Sequence, residues 1–203
     1  MTLPSDDAIA IVGYGGLFPG ADDLDAFWDN LLHARDATVE VPPGRWLVAP
    51  DRAFDPAVPR IDRVYATRGG FVSTPALDRD DLNLAGIDPD RLDPSFRLAL
   101  HAASLAWGSA RTERVDRSRV GAIFGNIVLP TELSSALTRE LLGPRIEESL
   151  HRPLGLGGTI DPRNAFPAGL PAAYVARALG LRGAAYTIDA ACASSLYAVR
   201  LAV

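Results

Sequence analysis

Apolar residues recur along this chain in two periods. Leu24, Phe27, Trp28, Leu31 and Leu32 hold the i, i+3, i+4, i+7, i+8 spacing of an amphipathic helix, with Asp22 or Asp23 placed to cap its start. That spacing predicts one face against a core. It leaves His33 at the carbonyl end as a surface or capping residue. Phe96, Leu100, Ala103 and Trp107 make a second stripe, opened by Asp93-Pro94. Leu98, Leu105 and several alanines fill its other faces, so this helix reads as buried, and His101 within it reads as a core or interface residue rather than a base. Leu133, Leu137 and Leu141 mark a third helix over 131–142, which Pro144 interrupts before a further turn from Arg145 to Leu150. A fourth runs from about Leu170 to Leu179 and ends at Gly180.

Short apolar runs alternate with these helices. Ala8 to Val12 reads as a buried strand ending in the turn at Gly13, and Arg119 to Gly125 as another. Gly69 to Val72 reads as a brief strand, and Tyr186-Thr187-Ile188 as the end of a further one. Residues 41–46 form a turn around Pro42-Pro43-Gly44, and 50–70 a solvated connection of mixed charge. His151 falls in a proline- and glycine-rich loop that reads as surface. The order of strands and helices predicts an α/β fold, a mixed sheet covered by helices.

Composition removes several functional classes. The 203 residues suffice for one sizeable domain, and 48% hydrophobic with 22% charged is ordinary for a globular protein. A net charge of -5 with no basic run argues against nucleic-acid binding. One cysteine permits no internal disulfide, and three scattered histidines make a metal cluster improbable on sequence grounds. The polar, acidic start is not a secretory signal, and no apolar run is long enough to span a bilayer, so a cytoplasmic location is expected. Gly13-Tyr14-Gly15-Gly16 lacks the Lys-Ser/Thr of a phosphate loop and reads as a tight turn.

The stretch that carries chemistry is the end of the chain. Cys192 lies where the strand through Ile188 passes into a helix marked by Leu196, Val199 and Leu201 with small residues between them. A thiol at a helix N-terminus faces unpaired N–H groups and the positive end of the dipole. Both favour thiolate, and cysteine pKa values fall from ~8.5 to roughly 3.5–7.5 in such settings. The pattern is that of a nucleophile elbow. The plain alternative is that Cys192 is a small buried hydrophobe, as most free cysteines are.

Asp189-Ala190-Ala191-Cys192-Ala193-Ser194-Ser195-Leu196 resembles the active-site motif of β-ketoacyl synthases. With Ala193 and Leu196-Tyr197 it is similar to the ketosynthase domains of type I polyketide synthases and polyunsaturated fatty acid synthases. Other segments resemble the family in the same order: Ile9 to Gly13, Phe18-Pro19-Gly20, Arg45-Trp46, Gly69 to Val72, Asp93-Pro94-Ser95-Phe96-Arg97-Leu98, Val120 to Gly125, and Leu181-Arg182-Gly183. Ser95 replaces the family's Gln, Gly15-Gly16 stands where many members carry a cysteine, and Leu77 to Leu84 is acidic where they are phenylalanine-rich.

The resemblance implies the thiolase-like fold and a role for Cys192 as the nucleophile that accepts an acyl chain from an acyl carrier protein. The backbone N–H of Cys192 would then donate to the oxyanion. Asp189 is implied as a buried residue holding the turn, and Ser194, with Ser195, as a packing and backbone-bonding residue of the first helical turn. Tyr197 and Arg200 would face a partner surface or the sheet. No cofactor is expected to bind directly; the phosphopantetheine arm belongs to the carrier protein. The family's two histidines and lysine follow the nucleophile helix, and His33, His101 and His151 sit in no such context. Because the chain stops at Val203, the resemblance implies the N-terminal half of a synthase domain, without condensing activity alone, completed by a C-terminal half and a homodimeric partner. The alternatives are a non-catalytic subunit like a chain-length factor, another thiolase-fold acyltransferase such as a thiolase or a chalcone-type synthase, and, more distantly, a cysteine hydrolase.

Overall fold

Aspartates cap several of the helical elements. Asp23 accepts from the Ala26 N–H at 2.7 Å to open α1 (Leu24–Leu32), and Asp93 accepts from the Ser95 N–H at 3.0 Å to open α3 (Pro94–Ser109). The computed structural model describes residues 8–46, 48–57, 60–73, 75–77, 82–127, 129, 131–153 and 160–203. The acidic start, part of the 77–84 segment and the Gly155–Gly158 loop lie outside them. The chain divides into two compact units, one of Gly15–Ser73 and one of Met1–Tyr14 with Thr74–Val203.

In the smaller unit α1 precedes β1 (Val39–Glu40), α2 (Pro50–Ala53) and β2 (Arg68–Gly69). The two strands pair antiparallel, Val39 opposite Gly69, and Arg68 ties the pair by donating to the Thr38 carbonyl at 2.8 Å. The strand anticipated over 69–72 is thus shorter and one residue earlier, and the connection after Pro50 contains a helical turn. Phe18 stacks on Phe27 with centroids 3.9 Å apart. The apolar face of α1 does not close on a core within this unit: Trp28, Leu31 and Leu32 are exposed. His33 caps the helix, with Nδ1 2.9 Å from the Asp29 carbonyl and 3.0 Å from its carboxylate.

The larger unit holds β3 (Ala122–Gly125), α4 (Glu132–Leu150), α5 (Leu170–Ala178), β4 (Ala185–Ile188) and α6 (Ser194–Ala202). β3 and β4 pair parallel, Ala122 with Ala185 through Gly125 with Ile188. A parallel pair needs a crossover, which α4 and α5 supply. Leu100, Ala122, Val175, Ala176 and Leu179 form one buried cluster between α3, α5 and the strands, and Ile87, Leu92 and Phe96 another. His101 is half-buried on α3.

Three expectations change here. Ala8–Val12 joins no strand among the described residues; Ile9, Ile11 and Val12 are exposed. Arg117–Arg119 form a 3₁₀ turn, so β3 starts only at Ala122. Finally, α4 runs through Pro144 to Leu150. Proline forfeits one ladder hydrogen bond. The helix continues past it nonetheless, and a Thr131–Ser134 capping box secures its start. His151 closes α4 in the left-handed region, φ 48°, exposed as anticipated.

Candidate active site

The site is built where β4 ends. After Ile188 the chain turns through Asp189 and Ala190 into a 3₁₀ turn, Ala191–Ala193, which runs directly into α6. Cys192 occupies the middle of that turn and is exposed. It therefore precedes the α-helix instead of forming its first residue. Ala191 adopts φ 49°, a left-handed conformation that costs a non-glycine residue roughly 1 kcal/mol or more. This strain is the geometric mark of a sharp strand-to-helix elbow, and alanine gives no hint of it in the sequence.

Two side chains hold the bend. Asp189 accepts from the Ala191 N–H at 2.9 Å. It is exposed, which corrects the expectation of burial: the carboxylate caps the turn from the solvent side. Ser194 is buried; its Oγ accepts from the Ala190 N–H at 2.9 Å and donates to the Ala191 carbonyl at 2.8 Å. Among the described residues no loop, turn or cap hydrogen bond involves the Cys192 N–H. No histidine hydrogen-bonds to the thiol among them.

The neighbouring strand β3 supports both legs of the elbow. Gly125 pairs with Ile188, and the Asn126 N–H donates to the Ile188 carbonyl at 3.0 Å. Asn126 also donates from Nδ2 to the Pro167 carbonyl at 3.0 Å, and the Thr187 hydroxyl donates to the Gly169 carbonyl at 3.4 Å, fixing the segment before α5 beside β4. Neither residue was singled out from the sequence. Asn126 carries no pattern that would mark it, whereas Gly125 ends a Val-Gly-x-x-x-Gly strand.

Of α6, only Ser194 and Ala198 are buried; Leu196, Tyr197, Val199 and Leu201 are exposed, as is Arg200. The tight packing expected of this helix is confined to its β3-facing side. A cleft of about 420 Å³ opens elsewhere in the unit, between Val12, Trp107, Val115, Ile123 and Leu181, and Cys192 does not line it. No helix among the described residues is long and apolar enough to cross a membrane.

An exposed cysteine on a strand–turn–helix elbow is an arrangement suited to a nucleophile. Comparison with known proteins narrows the class. The family described as beta-ketoacyl synthase, N-terminal domain, matches residues 6–203, and the chain belongs to that family. It is 36% identical over 200 residues to polyketide synthase ThaG of Burkholderia thailandensis, covering 97% of this chain and 3% of that protein. It is 30% identical to polyketide synthase PksL of Bacillus subtilis, covering 97% of this chain and 4% of the relative. Among solved structures, the keto synthase–chain length factor PfaC superposes with a TM-score of 0.80 at 30% identity, over 95% of this chain and 22% of that one. An oxazolomycin ketosynthase domain from Streptomyces albus gives 0.65 at 27% identity, over 94% and 30% respectively. The fold is thiolase-like, and the chain spans a small part of the length of the relatives it matches.

Proposed function

We propose that this chain is the nucleophile-bearing portion of a ketosynthase, accepting an acyl chain from an acyl carrier protein onto Cys192. The observation that carries the reading is the exposed thiol on a strained elbow, in a chain of the ketosynthase family. The thiolate of Cys192 attacks the acyl thioester carbonyl. A new C–S bond forms as the carbonyl oxygen takes the negative charge against the Cys192 N–H. The oxyanion then collapses, the C–S bond to pantetheine breaks, and the released pantetheine thiolate is protonated by water, balancing the proton that Cys192 gave to solvent on ionising. Asp189 and Ser194 hold the turn throughout.

Decarboxylative condensation with a malonyl-type extender, in polyketide or fatty acid assembly, requires groups beyond these. In this reading two histidines and a lysine come from a C-terminal half that completes the domain, and the assembled ketosynthase is a homodimer in the cytoplasm. The phosphopantetheine arm arrives on the carrier protein.

A second reading, a non-catalytic chain-length-factor-like or scaffolding subunit, draws support from the keto synthase–chain length factor pair among the structural neighbours. One experiment separates the two. The complete natural protein is incubated with a short acyl thioester of N-acetylcysteamine and digested for mass spectrometry. An acyl adduct on the Cys192 peptide, absent in Cys192→Ala, is the expected result. Equal acylation of Cys192→Ala overturns the nucleophile assignment, and absence of any adduct in the wild type favours the scaffolding subunit.

A further inference from the structure

The end of β3 and the start of α6 approach so closely that no side chain fits between them. A Cβ built on Gly125 falls 2.6 Å from the Ser194 carbonyl carbon, 2.7 Å from its oxygen and 2.8 Å from the Ser195 nitrogen. All three are backbone atoms, which cannot rotate aside as a flexible side chain would. The Gly125 backbone is also the register partner of Ile188, the last residue of β4 before the elbow. One residue therefore abuts the incoming leg through strand pairing and the outgoing leg through backbone contact. Ser194 passes that contact on, because its hydroxyl bonds to Ala190 and Ala191, the residues just ahead of Cys192.

We propose that Gly125 is a positioning residue for Cys192, fixing the height of the thiol above the sheet by lacking a side chain. A methyl group at 125 displaces the first turn of α6, and with it the bonds that hold the 190–191 bend. The consequence for acyl transfer rests on the ketosynthase reading of Cys192; the geometric claim does not. Misplacement of a reacting group by about 1 Å can cost on the order of 10²-fold in rate.

Gly121 supplies a matched control at the other end of the same strand. A Cβ there falls 2.5 Å from the Ala184 carbonyl oxygen, as close an approach to backbone though to one atom rather than three, at the end of the strand pair away from the elbow. Gly125→Ala and Gly121→Ala are made in the complete natural protein. Loading of Cys192 from an acyl thioester and alkylation of Cys192 by iodoacetamide are measured for each by mass spectrometry. The expected result for Gly125→Ala is a fall of about tenfold or more in the loading rate at saturation, an unchanged half-saturating concentration, and a changed alkylation rate. Gly121→Ala loads and alkylates within about twofold of wild type. Wild-type kinetics in a folded Gly125→Ala, or an equal loss in Gly121→Ala, overturns the proposal.

If Gly125→Ala does not fold, hydrogen exchange on the wild type decides. Amides 125–126 and 195–198 are expected to open together, and earlier opening of the α6 turn overturns the proposal. A wild type that alkylates but never loads an acyl group counts against the ketosynthase reading. In that case the alkylation comparison still tests Gly125.

Discussion

The hydroxyl of Ser194 accepts a hydrogen bond from the backbone N–H of Ala190 across 2.9 Å, closing the bend around Cys192 from the buried side. It returns a bond to the Ala191 carbonyl at 2.8 Å, so one buried oxygen satisfies two backbone groups of a strained segment. Ser194→Ala removes both bonds, though the Ala191 carbonyl keeps the Ser194 N–H, so the loss is that of a hydrogen bond at a half-buried bend, about 0.5–1.5 kcal/mol. The variant should unfold at lower urea concentration with an unchanged m-value, the signature of lost stability without altered compactness. A midpoint equal to the wild type would mean that water replaces the hydroxyl freely.

Phe96 is the anchor of the larger unit. Its side chain is fully buried on α3 and meets Tyr174 of α5 edge to face, with ring centroids 5.2 Å apart. Phe96→Ala should cost about 3–5 kcal/mol, because the lost transfer energy is joined by a cavity that two helices cannot close. Phe96→Leu keeps most of the volume and should cost less than half as much. Paired urea melts of the two variants check the ordering.

The same residues show what the sequence made legible. Asp93-Pro94 and the Phe96–Leu100 spacing define α3 because a cap and an apolar stripe are local properties. The elbow was legible for the same reason, since a strand, small residues and a helical run follow each other directly. The Ala8–Val12 run was read as a buried strand from its composition, yet composition cannot say which partner lies alongside, and here none does among the described residues. Trp28, Leu31 and Leu32 fail in the same way: periodicity fixes which residues share a face, not what covers it. Gly125 is legible as a glycine that permits close packing, but Ser194 as what it packs against is not, and Asn126 carries no local signal because its partner Pro167 lies 41 positions away.

Acid should expose a further dependence. Asp161 is buried at the start of a 3₁₀ turn, where Arg163 donates to its carboxylate from Nε at 2.8 Å and from Nη2. That hydrogen bonding holds the carboxyl well below its ordinary 3.8, at about 2, against the opposing effect of burial. A depressed folded pKa adds stability that is present above the unfolded value. It is lost as pH falls from about 4 through about 2. The contribution is on the order of 1–2 kcal/mol once solvent screening at the partly exposed Arg163 is allowed for. Urea melts across that range should show a steeper fall for the wild type than for Asp161→Asn. Parallel curves would assign the acid sensitivity to other carboxylates.

Asn164 ties the two ends of the larger unit's polar core, and substitutions there separate hydrogen bonding from packing. Its side chain is fully buried; Oδ1 accepts from the Asp93 N–H at 2.7 Å, and Nδ2 donates to the Arg91 carbonyl at 3.0 Å. Asp93 is itself fully buried, caps α3 and takes a hydrogen bond from the Thr131 hydroxyl, so its N–H has no route to water. Asn164→Leu keeps the branched shape, with slightly more bulk, and removes the acceptor. It should cost about 1–3 kcal/mol from the orphaned N–H. Asn164→Ala adds a void and should cost more, because the cavity term joins the polar one. Asn164→Asp keeps the acceptor but cannot donate to Arg91 when ionised and places a charge beside the Asp93 carboxylate. At pH 7 it should therefore be the least stable of the three, since an uncompensated buried charge outweighs a lost neutral hydrogen bond. Urea midpoints at pH 7 that place Asn164→Asp nearest the wild type would show that this pocket admits water.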